Sequence, residues 1–284
     1  MLGLPREIVK EKLLAFLKED VGQGDITSHL VVQEGVLAEA DVIAKAKGVV
    51  AGIEEARILL EAIGLSCRQL VKDGDKVEPG VTLMHVEGKA RDILTVERTL
   101  LNIVSRMSGI ATETRALQDR LMSAGFKARV ASTRKVAPGL LYLDKRAVAI
   151  GGGDPHRLHL DDLILIKDNH KVLAGGIAEA VRRARRGAFT KKIEAEVTSA
   201  EEAVQAVEAG ADIVMFDNMT PAEIKGVIEQ LREKGVIFEA SGGINAANIL
   251  EYASSGADIL SLGSLTHSTK ALDVSLELKA PCSR

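Results

Sequence analysis

Aromatic residues are scarce in this chain of 284 residues, which contains five Phe, two Tyr and no Trp. Proteins that bind single-stranded nucleic acid use aromatic side chains as stacking platforms, and few are present here. The chain has 37 Lys and Arg residues against 40 Asp and Glu residues, a net charge of −3. This balance gives no overall attraction to a polyanion, so we expect no nucleic-acid partner.

Cysteine is also scarce, and long apolar runs are absent. The two cysteines, Cys67 and Cys282, exclude a disulfide framework and a cysteine-based zinc site. No uncharged run reaches the roughly 18 residues that a transmembrane helix needs, so we expect no membrane partner. The first ten residues carry charge where a signal peptide has an apolar core. We therefore expect a cytoplasmic protein.

The composition is that of a folded globular protein, with 46% hydrophobic and 27% charged residues. In the first half, apolar spacing predicts helices over 5–20, 53–63 and 93–121. Strand-like runs and turn signals occupy residues 36–88 around the second of these helices. This part is predicted to be an α+β unit that ends near Ser108.

The second half repeats a strand–helix pattern. Short apolar runs, typical of strands buried on both faces of a parallel sheet, lie at 128–130, 163–166, 193–197, 213–216, 236–240 and 259–262. Ser199 to Glu202 and Thr220 to Glu223 have the spacing of capping boxes that begin helices. Alternating strands and helices at a spacing of about 20–30 residues favour a β/α barrel.

Polar residues gather where these runs end. They are Arg134, Lys135, Lys167, Glu196, Asp217, Ser241, Gly242, Gly243, Gly263 and Ser264. In a β/α barrel all these ends open onto one face, which carries the catalytic residues. The glycine-rich turns at 241–243 and 262–264 present backbone N–H groups suited to a phosphate. An accidental arrangement of strand-ending polar residues is the alternative.

The candidate cations indicate the charge of the substrate. They are Arg98, Arg134, Lys135, His156, Arg157 and Lys167. Converging cations repel each other unless an anion lies between them, which favours a polyanionic substrate over ordinary surface ion pairs. Glu196 and Asp217 are suited to Mg²⁺ or ribose hydroxyls, but pairing with Lys135 or Lys167 is an equal alternative. The basic cluster at 182–192 is better explained as a solvated helix end than as an RNA site.

Ordered motifs resemble the quinolinate phosphoribosyltransferase family over nearly the whole chain. They lie at 19–27, 97–112, 133–135, 138–140, 151–153, 156–157, 165–170, 194–197, 215–219, 239–244 and 261–267. The resemblance implies an N-terminal α/β sandwich domain over 1–108, which 270–284 rejoin, and an open β/α barrel over 109–269. It also implies that quinolinate and 5-phosphoribosyl-1-pyrophosphate react with Mg²⁺ to give nicotinate mononucleotide, pyrophosphate and CO₂ in NAD biosynthesis.

The family resemblance also assigns roles to residues. Arg134, His156 and Arg157 are expected to hold the quinolinate carboxylates, and Arg98 to reach that site from a partner subunit. A homodimer is then the minimum active unit, with a hexamer as the larger alternative. The other expected substrate-binding residues are Thr133, Lys135, Lys167, Glu196, Asp217, Ser241, Gly242, Gly243, Leu262, Gly263, Ser264 and His267. Of these, Lys135, Glu196 and Asp217 are expected to be catalytic.

Three positions depart from the family pattern: Val136, Leu141 and Pro155 stand where Thr, Arg and Asn are frequent. These departures bear on details of substrate contact. The competing hypotheses are a related phosphoribosyltransferase-like enzyme, acting on another pyridine acid or linked to molybdenum transport, and a non-catalytic barrel that binds a phosphate ligand. The motif at 165–170 favours the quinolinate enzyme, and the charged residues at the strand ends argue against a non-catalytic barrel.

Overall fold

The computed structural model describes residues 3–279. The α-helices are α1 (Arg6–Val21), α2 (Ile26–Val31), α3 (Ile53–Ala62), α4 (Ala90–Ser123), α5 (Leu141–Ile150), α6 (Asp168–Ala174), α7 (Ile177–Gly187), α8 (Ala200–Glu208), α9 (Pro221–Leu231), α10 (Ile249–Ser254) and α11 (Ser264–His267). The strands are β1 (Leu37–Ala44), β2 (Gly48–Val49), β3 (Ser66–Gln69), β4 (Lys76–Val77), β5 (Thr82–Lys89), β6 (Arg129–Ser132), β7 (Ile164–Ile166), β8 (Ile193–Val197), β9 (Ile213–Asp217), β10 (Ile237–Ser241), β11 (Ile259–Leu262) and β12 (Val274–Leu278). Within the described range, no helix has both the length and the apolar character needed to span a membrane.

The described chain forms two compact units, and the first contains residues 3–113, 146–152 and 269–279. Its main sheet has the order β12-β1-β5-β3 with antiparallel neighbours, and β2 pairs with β4 separately. Buried side chains such as Leu13, Leu59 and Leu83 form its core. Strand β1 buries alternate residues towards its end, as expected for a sheet with one face on a core.

The second unit contains residues 114–145 and 153–268. It holds a six-stranded parallel sheet in the order β6-β11-β10-β9-β8-β7. All five residues of β8 are buried, because helices cover one face of the sheet and the other face lines the interior. The edge strands β6 and β7 do not pair within the described chain, so the barrel is open. The predicted two-part α/β architecture with an open barrel is confirmed.

Two local predictions meet different outcomes. Thr220 and Glu223 form the reciprocal capping box at the start of α9, with the Thr220 N–H donating to Glu223 Oε2 at 2.8 Å. Ser199 accepts from the Glu202 N–H at 3.2 Å, but the Glu202 carboxylate accepts from the Thr198 N–H instead of the Ser199 N–H. The predicted capping box at Ser199 is therefore only half formed. The Glu202 carboxylate also accepts from Lys171 Nζ at 3.0 Å.

The extent of the two units differs from the sequence expectation. The division falls between Glu113 and Thr114 inside α4, five residues beyond Ser108, and residues 146–152 belong with the first unit. Strand β12 pairs antiparallel with β1 in the sheet of the first unit. Residues 280–284 of the predicted returning tail, with Cys282, lie outside the described residues.

Candidate active site

A cavity of about 350 Å³ opens at the carboxyl ends of the barrel strands. It lies within the second unit and is lined by Ser132, Thr133, Arg134, Lys135, His156, Arg157, Leu165, Lys167, Glu194, Glu196, Met215, Asp217, Glu239, Ser241 and Ser261. Its volume suits a small molecule. Nine of the residues predicted from the sequence meet here: Thr133, Arg134, Lys135, His156, Arg157, Lys167, Glu196, Asp217 and Ser241.

Three cations of the cavity have no carboxylate partner within the described chain: Arg134, Lys135 and Arg157. Arg134 and Lys135 follow β6 and are exposed, whereas Arg157 is only 9% exposed. Burial and the nearby Arg134 lower the pKa of Arg157 from its ordinary value. Because these cations disfavour each other, the cavity is suited to an anion with more than one negative charge.

His156 is held by two glutamates in the interior of the barrel. Its Nε2 lies 3.1 Å from Glu239 Oε2 and 3.2 Å from Glu194 Oε2. Burial alone would lower the pKa of His156, but hydrogen bonds to Glu194 and Glu239 outweigh it and raise the pKa to about 10. The ring is therefore an imidazolium at neutral pH, and its charge is balanced by the two glutamates.

The cavity is also lined by the carboxylates of Glu196 and Asp217. Lys167 Nζ donates to Glu196 Oε2 at 2.7 Å, so the ion pair that the sequence left as an alternative is present. Asp217 Oδ2 accepts from Asn218 Nδ2 at 2.9 Å and keeps one carboxylate oxygen without a described partner. Carboxylate oxygens at the rim of an anion-binding cavity can accept hydroxyls or ligate a hard cation such as Mg²⁺.

Glycines shape the loops beside these side chains. A Cβ on Gly263 would lie 3.1 Å from His267 Cδ2 and 3.2 Å from Lys135 Cδ, so Lys135 and His267 both pass close to its backbone. Gly242 has a φ of +93°, a conformation that favours glycine, and its Cβ would lie 2.8 Å from the Asn218 nitrogen. Of the predicted glycine-rich turns, Ser241 lines the cavity, whereas Gly242 and Gly263 border it.

Seven predicted residues are not among those that line the cavity: Arg98, Gly242, Gly243, Leu262, Gly263, Ser264 and His267. Arg98 lies on α4 in the first unit with an exposed side chain. Leu262 is buried at the end of β11. His267 Nδ1 forms a hydrogen bond with Ser268 Oγ at 2.6 Å.

Sequence reasoning missed six lining residues: Ser132, Leu165, Glu194, Met215, Glu239 and Ser261. Glu194 and Glu239 are the chemically important omissions, because both are almost fully buried within strands. The sequence did contain a signal for them, because each is a charged residue inside an otherwise apolar run. A carboxylate in a strand that is buried on both faces has no contact with solvent and needs a partner within the protein.

Family models match both parts of the chain. The quinolinate phosphoribosyl transferase N-terminal domain matches residues 25–108, and the corresponding C-terminal domain matches residues 110–277. The family resemblance indicated by the motifs is thereby confirmed.

Two similar proteins carry the same name. The probable nicotinate-nucleotide pyrophosphorylase (carboxylating) of Methanothermobacter thermautotrophicus is 45% identical, covering 96% of this chain and 98% of its own. The human nicotinate-nucleotide pyrophosphorylase (carboxylating) is 39% identical, covering 86% of this chain and 83% of its own. Neither name favours the molybdenum-linked enzyme or the non-catalytic barrel.

A solved structure has the same fold over the whole length. The nicotinate-nucleotide pyrophosphorylase from Francisella tularensis superposes with a TM-score of 0.91 at 36% identity, covering 98% of each chain. With both domain models matched in order and these likenesses spanning the chain, the protein belongs to the quinolinate phosphoribosyltransferase family.

Proposed function

We propose that the cavity transfers a phosphoribosyl group from 5-phosphoribosyl-1-pyrophosphate to quinolinate, with loss of one carboxylate as CO₂. The products are nicotinate mononucleotide and pyrophosphate, in NAD biosynthesis. The observation that carries this proposal is the set of three cations without carboxylate partners, Arg134, Lys135 and Arg157, which meet an imidazolium in one cavity. A dicarboxylate and a pyrophosphate ester supply the negative charge that this set needs.

The cations divide naturally between the two substrates. Arg134 and Arg157 have the forked geometry that binds carboxylates in bidentate fashion, and His156 adds a donor beside them. Lys135 and Lys167 act as point charges towards a carboxylate or the phosphoribosyl group. Thr133 and Ser241 offer hydroxyls at the ends of β6 and β10. We assign the turns at 241–243 and 262–264, with His267, to the 5′-phosphate.

Glu196 and Asp217 are the residues that fit Mg²⁺, because both line the cavity and offer carboxylate oxygens as ligands. When bound there with the substrate pyrophosphate, Mg²⁺ neutralises the charge that develops on the leaving group. The same two carboxylates are suited to accept hydrogen bonds from the ribose hydroxyls.

The chemistry requires no nucleophile from the protein, since the pyridine nitrogen attacks ribose C1. As pyrophosphate leaves, positive charge develops on the ribose ring, and Glu196 and Asp217 stabilise it. Fixed binding of both substrates lowers the entropic barrier to their reaction. When the C–C bond to the carboxylate breaks, CO₂ leaves and the electron pair stays on the ring carbon beside the cationic nitrogen. Lys135 stabilises the developing negative charge, and the carbon then takes up a proton from solvent.

The remaining parts of the proposal concern assembly and location. A homodimer in which Arg98 of one subunit completes the site of the other explains why Arg98 is exposed and does not line the cavity of its own chain. A hexamer of such dimers is compatible with the same arrangement. The location proposed is the cytoplasm.

Incubation of the purified protein with quinolinate, 5-phosphoribosyl-1-pyrophosphate and Mg²⁺ tests the reaction. We expect nicotinate mononucleotide, pyrophosphate and CO₂ in equal amounts, and no product when EDTA replaces Mg²⁺. Parallel reactions with nicotinate and with other pyridine acids test substrate choice. Absence of nicotinate mononucleotide across a range of pH and Mg²⁺ concentration contradicts the proposal.

A further inference from the structure

Two glutamates and one histidine form a buried charged group beneath the cations of the cavity. Glu194 lies in β8 and is 0% exposed, and Glu239 lies in β10 and is 1% exposed. Both carboxylates point at the same atom, His156 Nε2, from 3.2 and 3.1 Å. The nitrogen thus faces two carboxylates from two different strands.

Burial of two carboxylates is unfavourable unless a positive charge or hydrogen bonds compensate for it. Glu239 Oε1 accepts from Ser261 Oγ at 2.6 Å, which satisfies one of the four oxygens. Apart from His156 Nε2, which faces Oε2 at 3.2 Å, neither oxygen of Glu194 has a hydrogen-bond partner within the described residues. Burial and the neighbouring Glu239 raise the pKa of Glu194, and the His156 ring opposes that rise. The imidazole compensates for both glutamates when it is protonated.

The backbone holds the histidine in place as well. His156 has a φ of +54°, an uncommon conformation for a residue with a side chain. Its N–H donates to Asp154 Oδ1 at 2.7 Å, which fixes the turn. Strained backbone of this kind persists where surrounding contacts determine it, and it clusters at functional sites.

We propose that Glu194 and Glu239 are positioning residues that keep His156 as an oriented imidazolium, so that the cavity selects a pyridine acid with two adjacent carboxylates over one with a single carboxylate. This inference rests on the proposed function. Neither glutamate needs to touch the substrate, because each acts through His156. A site built to donate a hydrogen bond to a substrate carboxylate rejects an analogue that leaves this donor unpaired.

Other charged groups around His156 act against its protonation. Arg157 is its chain neighbour, Arg134 follows β6, and Lys145 of α5 is buried nearby, with Nζ donating to Ser132 O at 3.2 Å. These cations and burial disfavour the imidazolium, while Glu194 and Glu239 favour it. The raised pKa of His156, about 10, is the net result, so the charge persists through neutral pH and is lost as the pH rises through that value.

The test compares Glu239→Gln and Glu194→Gln with Glu208→Gln, which changes an exposed glutamate of α8. In the first two variants we expect the KM for quinolinate to rise about tenfold or more, while the KM for 5-phosphoribosyl-1-pyrophosphate stays within about twofold. The rise should grow between pH 6 and pH 8, because the neutral imidazole then replaces the imidazolium. Calorimetry should show that quinolinate loses affinity and nicotinate loses little. Glu208→Gln should behave like the wild type.

An NMR titration of the His156 ring in the wild-type protein supplies a measurement that depends neither on turnover nor on a variant that folds. We expect the ring to stay protonated from pH 6 to about pH 9, and to titrate near the ordinary value in Glu239→Gln. A wild-type ring that titrates near pH 6.5 overturns the inference. Equal effects on both KM values, without pH dependence, also overturn it, as does a stoichiometric metal ion that is lost in Glu239→Gln.

The two proposals fail in distinguishable ways. If no nicotinate mononucleotide forms but His156 stays protonated and quinolinate binds in preference to nicotinate, the reaction is wrong and the positioning role stands. If the product forms and His156 titrates near its ordinary value, the reaction stands and the positioning role is wrong.

Discussion

Arg134 and Arg157 together explain why the cavity calls for an anion. Arg157 is nearly buried and has no carboxylate partner within the described chain, and Arg134 lies close enough to lower its pKa. Glu194 and Asp162 attract the Arg157 guanidinium electrostatically, but neither forms an ion pair with it, so a bound anionic substrate supplies stabilisation that the protein alone does not. Substrate binding and local order should therefore be coupled at this position.

Replacement of Arg134 by alanine removes one carboxylate contact while leaving the rest of the cavity in place. We expect kcat/KM for quinolinate to fall at least about 100-fold, equivalent to about 3 kcal/mol in transition-state binding, because one substrate carboxylate is left unpaired. Steady-state kinetics with quinolinate as the varied substrate measures this loss. Arg183→Ala on α7, whose side chain pairs with Glu179 on the surface, is the matched control. An unchanged rate in Arg134→Ala removes Arg134 from the site.

Site residues were predictable from the sequence where they follow a strand-like apolar run. Arg134, Lys167 and Asp217 come shortly after apolar runs. Because the carboxyl ends of barrel strands open onto one face, this pattern is enough to predict that they lie together. The pairing of Glu194 with Glu239 was not predictable in this way, because β9 lies between their strands and the contact passes through His156 from a distant loop. Such a contact depends on tertiary packing that no local pattern encodes.

The loops that follow β9 and β10 are fixed to each other. The Asn218 N–H donates to Ser241 O at 2.9 Å, and Asn218 itself has a φ of +57°. Gly242 follows at once, and a Cβ there would clash with the backbone nitrogen and the side-chain amide of Asn218. Asp217 and Ser241 in the cavity are consequently held by one shared backbone arrangement.

A methyl group on Gly242 should disturb both loops together. We expect Gly242→Ala to lower kcat/KM for 5-phosphoribosyl-1-pyrophosphate by about tenfold or more, because Asn218 must move and the residue must keep a positive φ. Gly226→Ala in α9 is the control, since nothing lies within 4 Å of its Cβ and the substitution suits a helix. Equal kinetics for the two variants would exclude a role for this loop in phosphoribosyl binding.

The barrel strands were the most predictable elements. Short apolar runs buried on both faces leave a strong signal, and all six predicted runs overlap observed strands. Strand β3 was not predicted, because its sequence is polar and three of its four residues are exposed. Its formation depends on pairing with β5, a contact between segments that are apart in the chain.

The path of the chain between the units depends on contacts that the sequence does not reveal. Arg146 Nε lies 2.6 Å from Glu55 Oε1 and Arg146 also reaches Asp73 Oδ2 at 3.2 Å, which ties residues 146–152 to the first unit. Glu55 is 1% exposed, and burial raises its pKa to about 7 despite Arg146. A buried ion pair between segments about 90 residues apart has no periodic signature.

Protonation of Glu55 should make the stability of the first unit depend on pH. The pKa in the folded state lies above the ordinary value of 4.5, so the folded protein binds more protons and stability falls as the pH rises from about 4.5 to 7. We expect this fall, about 2–3 kcal/mol in the free energy of unfolding, to be reduced in Glu55→Gln and retained in Glu34→Gln, an exposed control. Urea denaturation at pH 5 and pH 8 measures the difference. The same pH dependence in all three proteins contradicts the assignment to Glu55.

Sharing of the active site between two subunits is tested by mixing two inactive variants. Arg98→Ala and Glu196→Gln homodimers should each be inactive, because every site lacks one required group. After denaturation and refolding together in equal amounts, half the dimers contain one subunit of each kind, and one of their two sites has both groups intact. We therefore expect recovery of about a quarter of the wild-type activity. If Arg98 instead serves the site of its own chain, both sites of the mixed dimer stay defective and no activity returns.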